Sequence, residues 1–329
     1  MKGTLEQAAT LLRSQTSVRI YYHKRPDGDA IGSSHALALA LRQLGISAAT
    51  CCCDPIPPIF EPVCAAFTQD EVGPDAFSVA VDTADSARLG DYQDVPISLI
   101  VDHHINRGFD DALKYVEEDA SSCCELILKL LEYMHLKITP QIADFLYTGL
   151  VTDTLCFRTA STNTDSMCAA ARLAAYGADI VTIARHHCLY KTPARIRIES
   201  ILQESFHFTS SGKVLGCMYH YEDLQKLGIT DADLDGLNAV VEQVEAADLG
   251  IVVREIAPMF CRVSVRSKGK YDANLICRSF GGGGHPTAAG GEFHTSPEEA
   301  LRHVEECCRA FIEAQDKCPS NVNERSSFC

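Results

Sequence analysis

Tryptophan is missing from the 329 residues, and basic residues are scarce: 29 Lys and Arg stand against 44 Asp and Glu, for a net charge of −15. A protein that tracks long nucleic acid carries a basic stripe and stacking aromatics. This composition speaks against such a module and for small substrates, held by metal ions or by a few placed Arg, Lys and His residues. No apolar stretch approaches the ~20 residues that span a bilayer. The opening segment, MKGTLEQAATLLRSQ, reads as a polar helix without the apolar stretch of a signal peptide. The expected location is therefore the cytoplasm, with no membrane partner. Cysteine is plentiful at sixteen, yet no two are spaced as C-x-x-C. Cys51-Cys52-Cys53, Cys123-Cys124 and Cys307-Cys308 are adjacent, so neighbours point in different directions. Most lie inside apolar runs and read as buried free thiols, not as a zinc site or a disulfide framework.

What is present is an alternation of strand-like and helix-like segments, in a length that suits two domains of roughly 100–200 residues each. Ser17–His23, Ser47–Cys53, Phe77–Val81 and Ile97–Val101 are strand-like. Helical patterns cover Ala30–Leu44, Ser122–Met134, Pro140–Leu150, Asp165–Tyr176 and Asp179–Leu189. Such alternation implies an α/β fold with a mostly parallel sheet flanked by helices, and ligands at the carboxyl ends of the strands. After a charged helical segment at Thr192–Glu204 the pattern restarts. Strands near Lys213–Tyr219, Gly250–Ile256 and Cys261–Arg266, with helices at Asp231–Ala246 and Pro297–Ala314, form a smaller C-terminal α/β domain. The expected division is residues 1–190, a helical linker at 191–205, a second domain at 206–314 and a disordered polar tail at 315–329, with a cleft between the two domains.

Several of these elements end in the same chemistry. The first strand runs into His23, Asp27 and Asp29; the third ends at Asp82; the fourth ends at Asp102-His103-His104; a later helix delivers Asp153. If the strands are parallel, these side chains converge. Anions so close together repel one another and lose hydration, so a cation must compensate. Carboxylate and imidazole without thiolate suit Mn²⁺, Mg²⁺, Fe²⁺ or Co²⁺, with Zn²⁺ as a further alternative. The ligands exceed the needs of one ion and fit two, bridged by a carboxylate, about 3.5–4 Å apart. Taken singly, each motif is more often a capped turn or a packed histidine.

Together these residues resemble the DHH phosphoesterase superfamily. Its four N-terminal motifs match His23-x-x-x-Asp27-x-Asp29, then Asp82-Thr83-Ala84-Asp85 with Arg88 and Gly90, then Asp102-His103-His104, then Asp153. Arg262-Val263-Ser264-Val265-Arg266-Ser267 and Gly281-Gly282-Gly283-Gly284-His285 resemble the DHH-associated C-terminal domain. One departure is Leu155-Cys156-Phe157-Arg158, where members often carry a glycine soon after the fourth aspartate. The resemblance implies that His23 and Asp27 hold one metal ion, that Asp29, His103 and Asp153 hold a second, and that Asp82 bridges them. It implies that Asp102 orients the His103 ring and that His104 contacts the scissile phosphate or protonates the leaving oxygen. Substrate-binding candidates are Arg88, Arg262, Ser264, Arg266, Gly282, Gly283, Gly284 and His285, with Lys268 and Asn274 as lesser ones; the glycines would let backbone amides approach a phosphate.

Within the superfamily the size resembles the bifunctional oligoribonuclease and pAp phosphatase group. The expected activity is metal-dependent hydrolysis of short oligoribonucleotides to 5′-mononucleotides and removal of the 3′-phosphate of pAp, with two divalent ions, Mn²⁺ foremost. The alternative is a phosphodiesterase for cyclic di-AMP or pApA. A non-catalytic nucleotide-binding module would have lost a metal ligand, and none is lost. Members of the family often form dimers.

Overall fold

The computed structural model describes residues 2–105, 108–229, 231–234 and 236–317. The chain divides into two compact units, Met1–Tyr190 and Lys191–Cys329. Among the described residues no helix is long and apolar enough to cross a membrane.

In the first unit the elements run α1 (Leu5–Arg13), β1 (Ser17–Tyr21), α2 (Gly28–Arg42), β2 (Ser47–Cys51), α3 (Glu61–Cys64), β3 (Phe77–Val81), β4 (Leu99–Asp102), β5 (Leu113–Val116), α4 (Cys123–Tyr133), α5 (Pro140–Asp153), α6 (Thr164–Ala175) and α7 (Ile180–Ala184). The five strands form one parallel sheet in the order β2-β1-β3-β4-β5. The buried runs Val79–Val81 and Leu99–Val101 are the continuous apolar strands that a sheet covered on both faces requires. Helices α2 and α5 pack against each other with almost no clearance. A methyl group at Gly32 would lie 2.3 Å from the Phe145 carbonyl oxygen, and one at Gly149 would lie 2.9 Å from the Asp29 Cα. Only glycine permits this approach, and it brings the two ends that carry Asp29 and Asp153 side by side. The helix expected at Asp179–Leu189 is instead α7 followed by a π turn, Arg185–Leu189.

In the second unit follow α8 (Pro193–Glu204), β6 (His207–Thr209), β7 (Val214–Tyr219), α9 (Tyr221–Leu227), α10 (Asp231–Leu234), α11 (Ala239–Glu242), β8 (Leu249–Ala257), β9 (Phe260–Ser267), α12 (Ala273–Arg278), β10 (Gly283–Gly284), β11 (Ala288–Phe293) and α13 (Pro297–Lys317). The six-stranded sheet has the order β10-β11-β9-β8-β7-β6, and all its pairs are antiparallel except β7–β8. The helix expected as a connector, α8, packs Ile198 and Leu202 into this unit's interior against Val240 and Val252. The helix expected over Asp231–Ala246 is broken into α10 and α11, with Gly236 between them at φ +62. Residues 315–317, expected in the tail, continue α13, and the rest of that tail lies outside the described residues. All fourteen described cysteines are free thiols; six are buried, while Cys168 is exposed.

Candidate metal centre

The strand order places β1 and β3 side by side, with β2 on the far side of β1 and β4 beyond β3. At such a reversal the loops leaving the two strands diverge and open a crevice at their carboxyl ends. His23 leaves β1 there, Asp82 leaves β3, and Asp102-His103-His104 leaves β4. Asp27 caps α2, accepting from the Asp29 and Ala30 amides at 3.1 and 3.0 Å through one carboxylate oxygen. Its second oxygen lies 3.5 Å from His23 Nε2. A helix cap and a candidate ligand are thus the same residue. Asp82 sits at φ +52, in the left-handed region, which turns its carboxylate back over the strand ends.

The six candidate ligands fall into two sets. His23, Asp27 and Asp82 form one; Asp29, His103 and Asp153 form the other; within each, the ligand atoms lie within 4.8 Å of one another. Asp82 is shared: its Oδ2 is 3.4 Å from His23 Nε2 and its Oδ1 is 3.6 Å from His103 Nε2. His103 Nε2 is also 3.7 Å from Asp29 and 3.4 Å from Asp153. These separations are too long for good hydrogen bonds. His23 Nε2, His103 Nε2 and Asp82 Oδ1 are accordingly buried with no hydrogen-bond partner.

The electrostatics fit a cation. Burial, then Asp82, pushes the Asp29 carboxyl up to about 7. Burial, then Asp29 and Asp82, pushes Asp153 up to about 8. For His23, burial pulls downward, but Asp27 and Asp82 outweigh it and raise the ring to about 10. His103 is raised likewise to about 10, its burial outweighed by Asp82, Asp29 and Asp153. Burial would raise Asp82, but the two imidazoles hold it well below the usual carboxylate range. The cluster therefore retains protons to balance its own charge. Orphaned nitrogen and oxygen donors of this kind are what a divalent metal takes up, displacing those protons.

Asp29 is the most enclosed of the candidate ligands. Both its oxygens accept backbone amides at the start of α4, from Cys123 at 2.6 Å and Cys124 at 2.9 Å. The sequence reading missed these two amides; the Ser121-Ser122 pair before the helix was the available signal. Asp102 departs from the role the resemblance implied. Its Oδ1 accepts from the His104 ring Nδ1 at 3.0 Å and from the amides of His103 and His104, whereas the His103 ring reaches the Ala120 carbonyl at 3.3 Å. A carboxylate at a strand end reaches the residue two positions on, so Asp102 orients His104. The bond to Asp102, opposed by burial, raises the His104 pKa. After Asp153, Leu155, Cys156 and Phe157 stand in succession at φ +46, +57 and +60, the conformation a glycine would take without strain.

The remaining candidates are placed as follows. Arg88 contributes its amide to Asp85 and its carbonyl to Lys24, tying the first motif to the second. Arg262 is exposed and pairs with Glu292 at 3.1 Å; Arg266 pairs with Glu242 at 3.0 Å; Ser264 is buried between them. The glycine run does not offer its amides as expected. Gly282 donates to the Cys277 carbonyl and Gly284 to Asn274, and a methyl group at Gly282 would lie 2.3 Å from the Gly290 carbonyl oxygen. These glycines are required by a tight hairpin, while Gly283 and His285 remain exposed. Asn274 serves that hairpin, and Lys268 donates to the Val244 and Glu245 carbonyls.

Residues 17–150 match the DHH family N-terminal domain, and residues 220–313 match the DHHA1 domain. The first unit thus carries a match to the DHH family N-terminal domain, and the second a match to the DHHA1 domain. It is 28% identical over 287 residues to a bifunctional oligoribonuclease and PAP phosphatase of Thermus thermophilus, across 86% of each chain. It is 26% identical to a probable enzyme of the same name from Streptococcus mutans, covering 87% of this chain and 93% of that one. An exopolyphosphatase-related protein of Bacteroides fragilis superposes with a TM-score of 0.83 at 22% identity, over 95% of this chain and 97% of that one, which speaks to the fold.

Proposed function

We propose that the protein is a metal-dependent phosphoesterase that hydrolyses short oligoribonucleotides to 5′-mononucleotides and removes the 3′-phosphate of pAp to give AMP. The observation that carries this reading is the division of Asp82, with one oxygen toward His23 at 3.4 Å and the other toward His103 at 3.6 Å. A carboxylate so placed serves a cation on either side. His23 and Asp27 complete one set, and Asp29, His103 and Asp153 the other. Two Mn²⁺ ions suit these donors best, with Mg²⁺, Co²⁺ or Fe²⁺ as alternatives. When bound, they supply positive charge to a phosphoryl group and acidify an attacking water.

The chain's own residues then have distinct tasks. Buried Asp29, fixed by two amides, keeps its ligand set from rearranging as substrate enters. Asp102 holds His104 through Nδ1 and leaves Nε2 directed away from that bond. Held by Asp102, the His104 ring is placed to donate a hydrogen bond to a phosphoryl oxygen or a proton to the departing oxygen. Arg88, Arg262, Ser264, Arg266, Gly283 and His285 are the proposed substrate contacts. The extended similarity to enzymes named for oligoribonucleotides and PAP supports short nucleotides as the substrate class.

The test is product analysis of the purified protein with Mn²⁺ on a short RNA oligomer, pApA, pAp and cyclic di-AMP. Rapid release of 5′-mononucleotides from the linear substrates and of AMP from pAp is expected, with slow cyclic di-AMP turnover. Dominant cyclic di-AMP cleavage would move the protein to second-messenger breakdown, and no turnover of any substrate would end the catalytic reading.

A further inference from the structure

Charge on the second unit's sheet is unevenly matched. Along the antiparallel β8–β9 pair, Gly250 stands opposite Arg266, Val252 opposite Ser264 and Arg254 opposite Arg262. Across β9, the β11 residues Ala288, Gly290 and Glu292 stand opposite Arg266, Ser264 and Arg262. Cross-strand partners share a face. This face therefore carries three arginines, with buried Val252 and Ser264 between them and the small residues Ala288 and Gly290 across β9. Arg262 has Glu292 at 3.1 Å and Arg266 has Glu242 at 3.0 Å. Arg254 has no such partner. Among the described residues no carboxylate lies within ion-pair distance of it, and its buried Nε has no hydrogen bond. Its neighbour on β7, Tyr219, is fully buried. Burial depresses the Arg254 pKa; Tyr219 opposes the shift, and Arg262 and Arg266 add to it. A guanidinium does not shed its proton in a protein, so a half-buried cation among like charges is a cost until an anion joins it.

We propose that Arg254 is the residue of the second unit that takes a nucleotide's phosphate, with Arg262 and Arg266 at its sides. The proposal rests on the phosphoesterase reading and names a residue outside the Arg262–Ser267 segment that the sequence pointed to. Arg254 can offer parallel N–H donors to two phosphate oxygens without first giving up a carboxylate. Arg262 and Arg266 would each have to exchange one.

The experiment is calorimetric binding of 5′-AMP and of adenosine, which differ only in the phosphate, to the Mn²⁺-loaded protein. AMP should bind more tightly than adenosine. Arg254→Met should weaken AMP by about tenfold or more, as loss of a charged hydrogen-bonding partner does, and leave adenosine within about twofold. Arg254→Lys, which keeps the stem and the charge but not the fork, should recover part of the loss and guards against misfolding of the Met variant. Arg262→Met should cost less than Arg254→Met. Unchanged AMP affinity in Arg254→Met would overturn the assignment, as would a larger loss in Arg262→Met. Equal losses for AMP and adenosine would also overturn it, since they would mark a packing role. Binding is read without turnover, so a protein that holds AMP through Arg254 but cleaves nothing would lose the phosphoesterase reading and keep Arg254 as a phosphate site.

Discussion

In the first unit four carboxylates crowd two imidazoles, and no Lys or Arg pairs with that cluster among the described residues. In the second, three arginines on one sheet face meet two glutamates, Glu292 of β11 and Glu242 of α11. One region is short of positive charge and the other of negative charge, and the two sheets produce these situations differently. Parallel strands deliver their ends to one edge, where loops from distant parts of the chain gather ligands at a point. Antiparallel strands line up alternate residues on a face, so partners are set by register across strands.

The sharpest way to break the comparison is to remove the shared ligand. Asp82→Asn should lower turnover by about a thousandfold or more, since one metal position loses its oxygen donor and both lose the shared negative charge, while circular dichroism stays that of the native protein. Near-normal turnover would end the two-metal reading. A weaker intervention asks whether the first cluster is crowded with negative charge at all. Asp29 and Asp153, at about 7 and about 8, and His23 and His103, at about 10, all bind protons more tightly folded than unfolded. Their contribution is complete below the unfolded values and is lost as pH rises through the folded ones, so metal-free stability should fall from about pH 7 to about pH 9. Asp82, held low, stays ionised across that range and adds no slope. Thermal unfolding in EDTA measures this. Asp153→Asn should flatten the slope and raise the metal-free Tm by roughly 2–4 °C. Added Mn²⁺ should reverse the slope, because the ligands bind deprotonated. A flat wild-type curve in EDTA would contradict the crowding. The smallest expected effect lies in the second unit: Lys268→Met should cost no more than about 1 kcal/mol of stability, for two backbone hydrogen bonds, and leave KM unchanged. A raised KM would return Lys268 to the substrate.

The same contrast explains what could be read in the sequence. His23, Asp27, Asp29, Asp82, His103 and Asp153 were legible because each sits at the end of an apolar run, where a polar break is visible within a few residues. The strands β1, β3 and β4 were legible for the same reason. Arg254 was not, because a single arginine in an apolar strand carries no local signal; its meaning comes from standing opposite Arg262. The strand β11 escaped because Ala-Ala-Gly-Gly-Glu-Phe has the composition of a loop, and β5 because its four residues alternate too briefly. The helix expected over Asp231–Ala246 broke at a point where apolar periodicity runs on through Gly236. The job of Asp102 depended on a two-residue reach that spacing does not reveal.

Position 82 illustrates how narrowly a single residue can be specified. Its backbone, at φ +52, admits Asp, Asn or Gly at little strain and disfavours longer side chains. Its place between two imidazoles demands a charged oxygen on each side. The first requirement excludes glutamate, which has the right chemistry; the second excludes asparagine and glycine, which have the right conformation. Aspartate is the sole overlap of the two alphabets, so variation at this site is closed off twice, by shape and by charge, and neither restriction can be relaxed by compensating for the other.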